Sequence, residues 1–407
     1  MKEELRSRLI KELGDREELT DKEIYDYIDR LIMLEALKEP IPLVKREELR
    51  REMYASVRGL DVLQELLEDS DITEIMVNGC DKIFIEKNGR LQKTGYRFVS
   101  KERLEDVIQQ MVATANRRVN AASPIVDSRL PDGSRVNVVL SPVAVNGPIV
   151  TIRKFATEPI TMRQLIEWNS ISEEVADFLA NLVVAGYNIF VCGGTGSGKT
   201  TFLNVLSDFI PGDERVITIE DSAELKLTHI DNLVSFETRN ANAEGENEIT
   251  IRDLIKTALR ARPDRIIVGE VRGKEALDLL QAFNTGAEGS MSTGHANSSK
   301  DMLSRLETMA LMAMDMPLLA VRSQISSAID IIVHLGRLRD KTRHVLEITE
   351  VDGLEDGEIK CHEIFKFKEY GVDANGIIIG RLEGDSERLI NRNKLINAGI
   401  QAEVQGG

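Results

Sequence analysis

Hydrophobic and polar positions divide the chain into three textures. Through residues 1–50, apolar side chains recur at helical spacing: Leu5, Leu9 and Leu13, then Ile24, Ile28, Leu31 and Leu34. Pro40 and Pro42 interrupt the pattern, which resumes near Lys45. A small helical bundle is predicted over 1–58. Half of its first 50 residues are charged, 11 Lys+Arg and 14 Asp+Glu, so the plain reading is a solvated helical appendage. From about residue 60 the period becomes two. ITEIMVNG and KIFIEKNGRL read as strands with turns at NGCD and KNGR, and residues 101–121 as a helix. RLPDGSRVNVVLSPV reads as a hairpin turning at Asp132-Gly133, and GPIVTIRKF as a further strand. These make a mixed α/β domain over 59–157, followed by a short linker, ATEPIT.

In the last segment, 158–407, helices alternate with short apolar strands: NIFVCG, RVITIED, LVSFET, RIIVGE and GSMSTGH. That alternation predicts an α/β domain with a mostly parallel sheet covered by helices. The tail, LINRNKLINAGIQAEVQGG, predicts a weak terminal helix that frays.

Composition narrows the classes. A chain of 407 residues, 42% of them hydrophobic, can build two or three domains with sizeable cores. A net charge of -16 argues against nonspecific binding to nucleic acid or an anionic bilayer. Cys80, Cys192 and Cys361 lie too far apart for a disulfide framework or zinc cluster and suit a reducing compartment. The charged start lacks the apolar core of a signal peptide, and no apolar run reaches the roughly 18 residues of a membrane span. The expectation is a cytoplasmic protein that docks on a membrane partner without crossing the bilayer.

The chemistry is densest in IFVCGGTGSGKTTFLNVL, Ile189 to Leu206. Gly193-x4-Gly198-Lys199-Thr200 fits the P-loop, between an apolar strand and the helix TTFLNVLSDF. Bare backbone amides can wrap nucleotide phosphates, and the helix N-terminus faces the same charge. Lys199 would reach the β and γ phosphates, and the Thr200 hydroxyl would bind Mg2+. Hydrolysis also needs a carboxylate near the γ-phosphate. Two apolar strands end in one, at Glu270 and at Glu220, and in an open parallel sheet both face the loop. The usual Asp before the strand-end Glu is Gly269 here, so Mg2+ is expected to rest mainly on Thr200, water and phosphate. His295 also follows an apolar strand and reads as either structural or a γ-phosphate sensor. His229, His334, His344 and His362 lack that context and read as structural.

Four stretches, GGTGSGKTT, ITIEDSAEL, ALRARPDRIIVGEVRG and GSMSTGHANS, resemble in order and spacing the Walker A, Asp-box, Walker B and His-box of the type II/type IV secretion ATPase superfamily. EIMVNG, SRLPDGSRVN, GPIVTIRKF and FETRNANAEGENEIT resemble the CpaF-type branch, which powers Flp (tight-adherence) pilus assembly. The resemblance covers about 60 to 395. It implies a hexameric ring of RecA-like motors, each linked flexibly to an N-terminal α/β domain, with ATP bound between. It also implies a partner, an inner-membrane platform protein, and so a place peripheral to the inner membrane. Carried over by position, Gly193, Gly194, Thr195, Gly196, Ser197, Gly198, Lys199, Thr200 and Thr201 hold the phosphates. Glu270 is the general base. Glu220 orients water or Mg2+, reaching the ion directly or through a water, and His295 is the His-box residue. Arg129, Arg135 and Arg153 match N-terminal-domain positions that approach the phosphates, and Arg239 matches a subunit-facing arginine. The glycine at 269 is normal in this superfamily. Conjugation or effector-secretion ATPase, nucleic-acid translocase and small-molecule kinase stand as alternatives, the last two disfavoured by the acidic balance and by the lack of a recognisable acceptor pocket.

Overall fold

The structure, a computed structural model, describes Leu5, Arg8, Leu9 and residues 20–400 except 39, 88, 116, 155–159, 240, 242–245 and 375. Leu13, most of the ATEPIT linker and the tail 401–407 lie outside the described residues. The chain divides into two compact units, Met1–Thr157 and Glu158–Gly407.

The first unit opens with helices α1 (Asp21–Ala36) and α2 (Leu43–Arg58). Thr20 starts α1 by accepting the Glu23 amide while the Glu23 carboxylate accepts the Thr20 amide, a reciprocal cap. Leu5, Leu9, Ile24, Ile28, Ile32, Leu49 and Met53 form a separate small core. The expected stripe bends away at its end: Ile32 is buried, whereas Leu34 is exposed. Beyond α3 (Val62–Glu68) come β1 (Ile72–Asn78), β2 (Ile83–Lys87), β3 (Arg90–Lys93), α4 (Lys101–Ala113), β4 (Ile125–Arg129), β5 (Arg135–Val139) and β6 (Ile149–Arg153). The sheet order is β3-β2-β1-β6-β5-β4, antiparallel at every pairing. The α4 helix stops at Ala113, short of the expected 121, because Arg117 and Asn120 bond into a turn instead. The Asp132-Gly133 hairpin forms as expected: Leu130 N–H donates to Ser134 O, and Gly133 takes a φ of 88°.

The second unit has α5 (Met162–Glu167), α6 (Glu173–Val184), β7 (Ile189–Gly193), α7 (Lys199–Ser207), β8 (Arg215–Glu220), β9 (Asn232–Glu237), α8 (Ile251–Ala258), β10 (Arg265–Val268), α9 (Glu275–Phe283), β11 (Met291–His295), α10 (Ser299–Ala313), α11 (Leu318–Ala328), β12 (Ile331–Arg337), β13 (Arg343–Glu355), β14 (Glu358–Val372), β15 (Ile378–Gly384) and α12 (Asn393–Asn397). Its sheet runs β15-β14-β13-β12-β7-β11-β10-β8-β9. The β9 to β12 side is parallel throughout, with Ile189, Val191, Ile217, Ile267 and Val268 fully buried beneath helices on both faces. Beyond β12 the pairing turns antiparallel, an extension that the strand-helix alternation does not announce. Among the described residues no helix is long and apolar enough to cross a membrane.

Candidate functional site

The carboxyl ends of β7, β8, β10 and β11 converge, and the sequence-predicted motor residues come with them. Gly193 ends β7 and Lys199 opens α7. Between them, Gly196 and Gly198 take φ values of 70° and 95°, conformations that favour glycine. Gly193 is required for space: a Cβ there would lie 2.4 Å from Leu335 O of β12 and 2.6 Å from Ser197 Oγ. Gly194, Thr195 and Gly196 are exposed, whereas Ser197 and Lys199 are buried. The buried Ser197 hydroxyl has no partner among the described residues, as suits a loop built to hold an oxygen-rich ligand. Thr200 and Thr201 follow in the first turn of α7.

The Lys199 ammonium donates to Gly194 O at 3.1 Å and meets His295 Nδ1 at 3.2 Å. An ammonium only donates, so Nδ1 is the acceptor and the neutral ring carries its proton on Nε2. His295 Nε2 in turn lies 2.9 Å from Glu270 Oε1, at ion-pair distance but without the alignment of a hydrogen bond. Burial and then the Lys199 charge lower the His295 pKa, against the pull of Glu270, which keeps the ring neutral. His295 reaches this place because β11 pairs with β7 and sets His295 opposite Gly193.

Glu270 follows β10 on a backbone stitched from both sides. Gly269 N–H donates to Ile219 O at 2.8 Å, Thr293 Oγ1 donates to Gly269 O at 2.7 Å, and Val271 N–H donates to Thr293 O at 2.9 Å. Burial works to raise the Glu270 pKa. The Arg272 bond, with the charges of Arg272, His295 and Lys199, outweighs burial and holds the carboxyl below its usual range, hence ionised. Arg272 Nη2 lies 2.7 Å from Glu270 Oε2, and its Nη1 lies 3.4 Å from Asp221 Oδ2. Sequence reasoning passed over Arg272. The available signal is its position two residues after a strand-end acid, where the chain turns back.

Glu220, at the end of β8, is buried, and its carboxylate accepts the amides of Glu224 at 3.0 Å and Leu225 at 3.2 Å. Its stem also accounts for Gly269: a Cβ at 269 would stand 3.0 Å from Glu220 Cγ. The acid missing from β10 is thus matched by one arriving from the neighbouring strand. Among the described residues no group of three or more His, Cys, Asp or Glu is placed to hold a metal. Arg343, at the start of β13, was also missed: its Nε donates to Gly196 O at 2.8 Å across 147 residues of sequence.

The remaining arginines lie on other elements. Arg239 bridges to Ile249 beyond β9, the sheet's edge strand, and its Nε donates to Asn247 O at 2.9 Å. In the first unit, Arg129 stands opposite Arg135, and Arg135 opposite Arg153, with Glu74 next along. Directly paired residues share a face of the sheet. Val136, Val138, Val150 and Ile152 point into that unit's core, so the arginine row occupies the other face and concentrates three positive charges there.

The type II/IV secretion system protein family matches residues 57–375. A Mycobacterium tuberculosis protein named for conjugal transfer is 35% identical over 305 residues, which cover 73% of this chain and 86% of that protein. The type IV secretion system protein PtlH of Bordetella pertussis is 32% identical over 327 residues, covering 72% of this chain and 95% of PtlH. Among solved structures, the pilus retraction motor PilT with bound ADP aligns with a TM-score of 0.52 at 19% identity, over 84% of this chain and 88% of its own, a likeness of fold.

Proposed function

We propose that this chain, which belongs to the type II/IV secretion system protein family, is a Mg2+-dependent ATPase motor that works as a hexamer on a membrane machine. The observation that carries the reading is the line Lys199–His295–Glu270 at the mouth of the glycine loop. A nucleotide's β and γ phosphates would lie on the loop amides and on Lys199. Glu270, held ionised by Arg272, would take the proton of the attacking water. Neutral His295 would donate toward Glu270 or the γ-phosphate, according to which group Lys199 engages. Mg2+ would be held by the Thr200 hydroxyl and phosphate oxygens, where it offsets phosphate charge. Glu220, committed to turn amides, would act on it through water. The row Arg129, Arg135 and Arg153 would supply the further positive charge that phosphoryl transfer demands, and Arg239 would serve a subunit edge.

The machine served is read as Flp (tight-adherence) pilus assembly through an inner-membrane platform protein, on the strength of EIMVNG, SRLPDGSRVN and FETRNANAEGENEIT. A second reading, export of DNA or protein, is favoured by relatives named for conjugal transfer and type IV secretion. Deleting the gene in its host separates them. Loss of surface pili supports the first reading. Intact pili with lost DNA or protein export supports the second and removes the first.

A further inference from the structure

We propose that Arg343 is a positioning residue of the phosphate loop, acting through the Gly196 carbonyl. The proposal rests on the nucleotide reading of this loop. A phosphate cradle works by presenting N–H groups, so its carbonyls have to be turned away and held. Gly194 O is held within the loop, by Lys199 Nζ and by the Ser197 amide at 3.3 Å. Gly196 O is held from outside, by Arg343 Nε at 2.8 Å. Gly196 sits at a φ of 70° with no side chain and nothing within 4 Å of where a Cβ would be, so without this bond its peptide can rotate. A carbonyl swung inward would oppose the phosphate.

The β12–β13 hairpin thus walls the loop at two points. Leu335 O closes behind Gly193, and the Arg343 side chain runs beside Gly196 and Gly198, with its Cδ 3.6 Å from the place of a Gly198 Cβ. Among the described residues, no hydrogen bond or ion pair besides that to Gly196 is found for the Arg343 side chain. Arg343 is exposed, and a single exposed bond contributes little to global stability. Its value lies in fixing one peptide plane and in adding a positive charge next to the loop.

The test uses the full chain as parent, Arg343→Ala and Arg343→Lys. Fluorescent ADP titration, steady-state ATP hydrolysis, unliganded melting temperature and amide hydrogen exchange are measured on each. Arg343→Ala should weaken ADP and raise KM for ATP by about tenfold, the scale of one charge-assisted hydrogen bond. Its kcat should stay within about twofold and its unliganded melting temperature should match the parent's. Exchange should quicken in 194–198 and stay unchanged in β7 and α7, a change that a generally loosened fold would not confine. Arg343→Lys, which restores one charged donor, should recover part of the affinity. Parent-like ADP affinity and exchange in Arg343→Ala would overturn the proposal, as would a fall in kcat at unchanged KM. Failure of the parent itself to bind ADP would remove the nucleotide reading and the proposal with it.

Discussion

The Lys199 ammonium lies 3.2 Å from His295 Nδ1, and the far nitrogen of the same ring lies 2.9 Å from Glu270 Oε1. The lysine proposed to anchor phosphate and the glutamate proposed to activate water therefore share one imidazole. Lys199→Ala should abolish measurable hydrolysis and weaken ATP binding. It should also raise the His295 pKa, because the Lys199 charge is one of the causes that depress it, after burial. Histidine titration by NMR in parent and variant checks the shift. An unchanged His295 would mean the two groups do not communicate.

Burial works to raise the Glu270 pKa, and Arg272, with smaller contributions from His295 and Lys199, holds it down. Arg272→Ala should raise the Glu270 pKa and move the acid limb of the pH-rate profile upward. Activity lost at the acid end of the profile should then be partly regained as pH rises. A profile that keeps its shape while the whole rate drops would assign Arg272 a different task.

Gly269 and Glu220 share one space. Gly269→Asp, which writes in the more familiar acid, should lower stability by about 1–3 kcal/mol through crowding and should slow hydrolysis. Adding Glu220→Ala should restore part of the stability, a coupling that urea unfolding of the single and double variants measures. Strictly additive losses would show that the two side chains do not compete.

Acid should destabilise this fold before most carboxylates protonate. Burial lowers the pKa of His334 and His344 below the ordinary 6.5, against the opposing pull of Glu347 and Asp301 on His334 and of Asp340 on His344. His295 is lowered as well. Over that window the unfolded chain binds more protons than the folded one, so stability is held above about pH 6.5 and lost as pH falls toward the depressed values. Melting temperatures should decline from pH 7 to 5.5. A flat or rising trend would contradict the assignment.

Much of this architecture can be read from residue order, and the exceptions have physical causes. Strand ends such as Ile267-Val268-Gly269-Glu270 carry their own signal, because continuous burial makes an apolar run and the candidate acid follows it. The hairpin that carries Arg129 and Arg135 is also legible, although its loop has three residues, 131–133, which sets Arg129 rather than Leu130 opposite Arg135. Their alignment with Arg153 is not, because it depends on the pairing of β5 with β6 across a longer connection. Arg343 leaves no trace at all: it reaches Gly196 only after the sheet has switched from parallel to antiparallel order. Val112 and Val119 are both buried, which mimics a continued apolar face across the turn that ends α4.

The central claim, that this loop hydrolyses ATP with Glu270 as base, is tested most directly by phosphate release from parent and Glu270→Gln, with bound nucleotide identified in each. The parent should release phosphate. Glu270→Gln should bind ATP with near-parental affinity, retain it uncleaved and hydrolyse it slower by about a hundredfold or more. Equal phosphate release by the two proteins, or none by a well-folded parent with Mg2+ and ATP present, would contradict it.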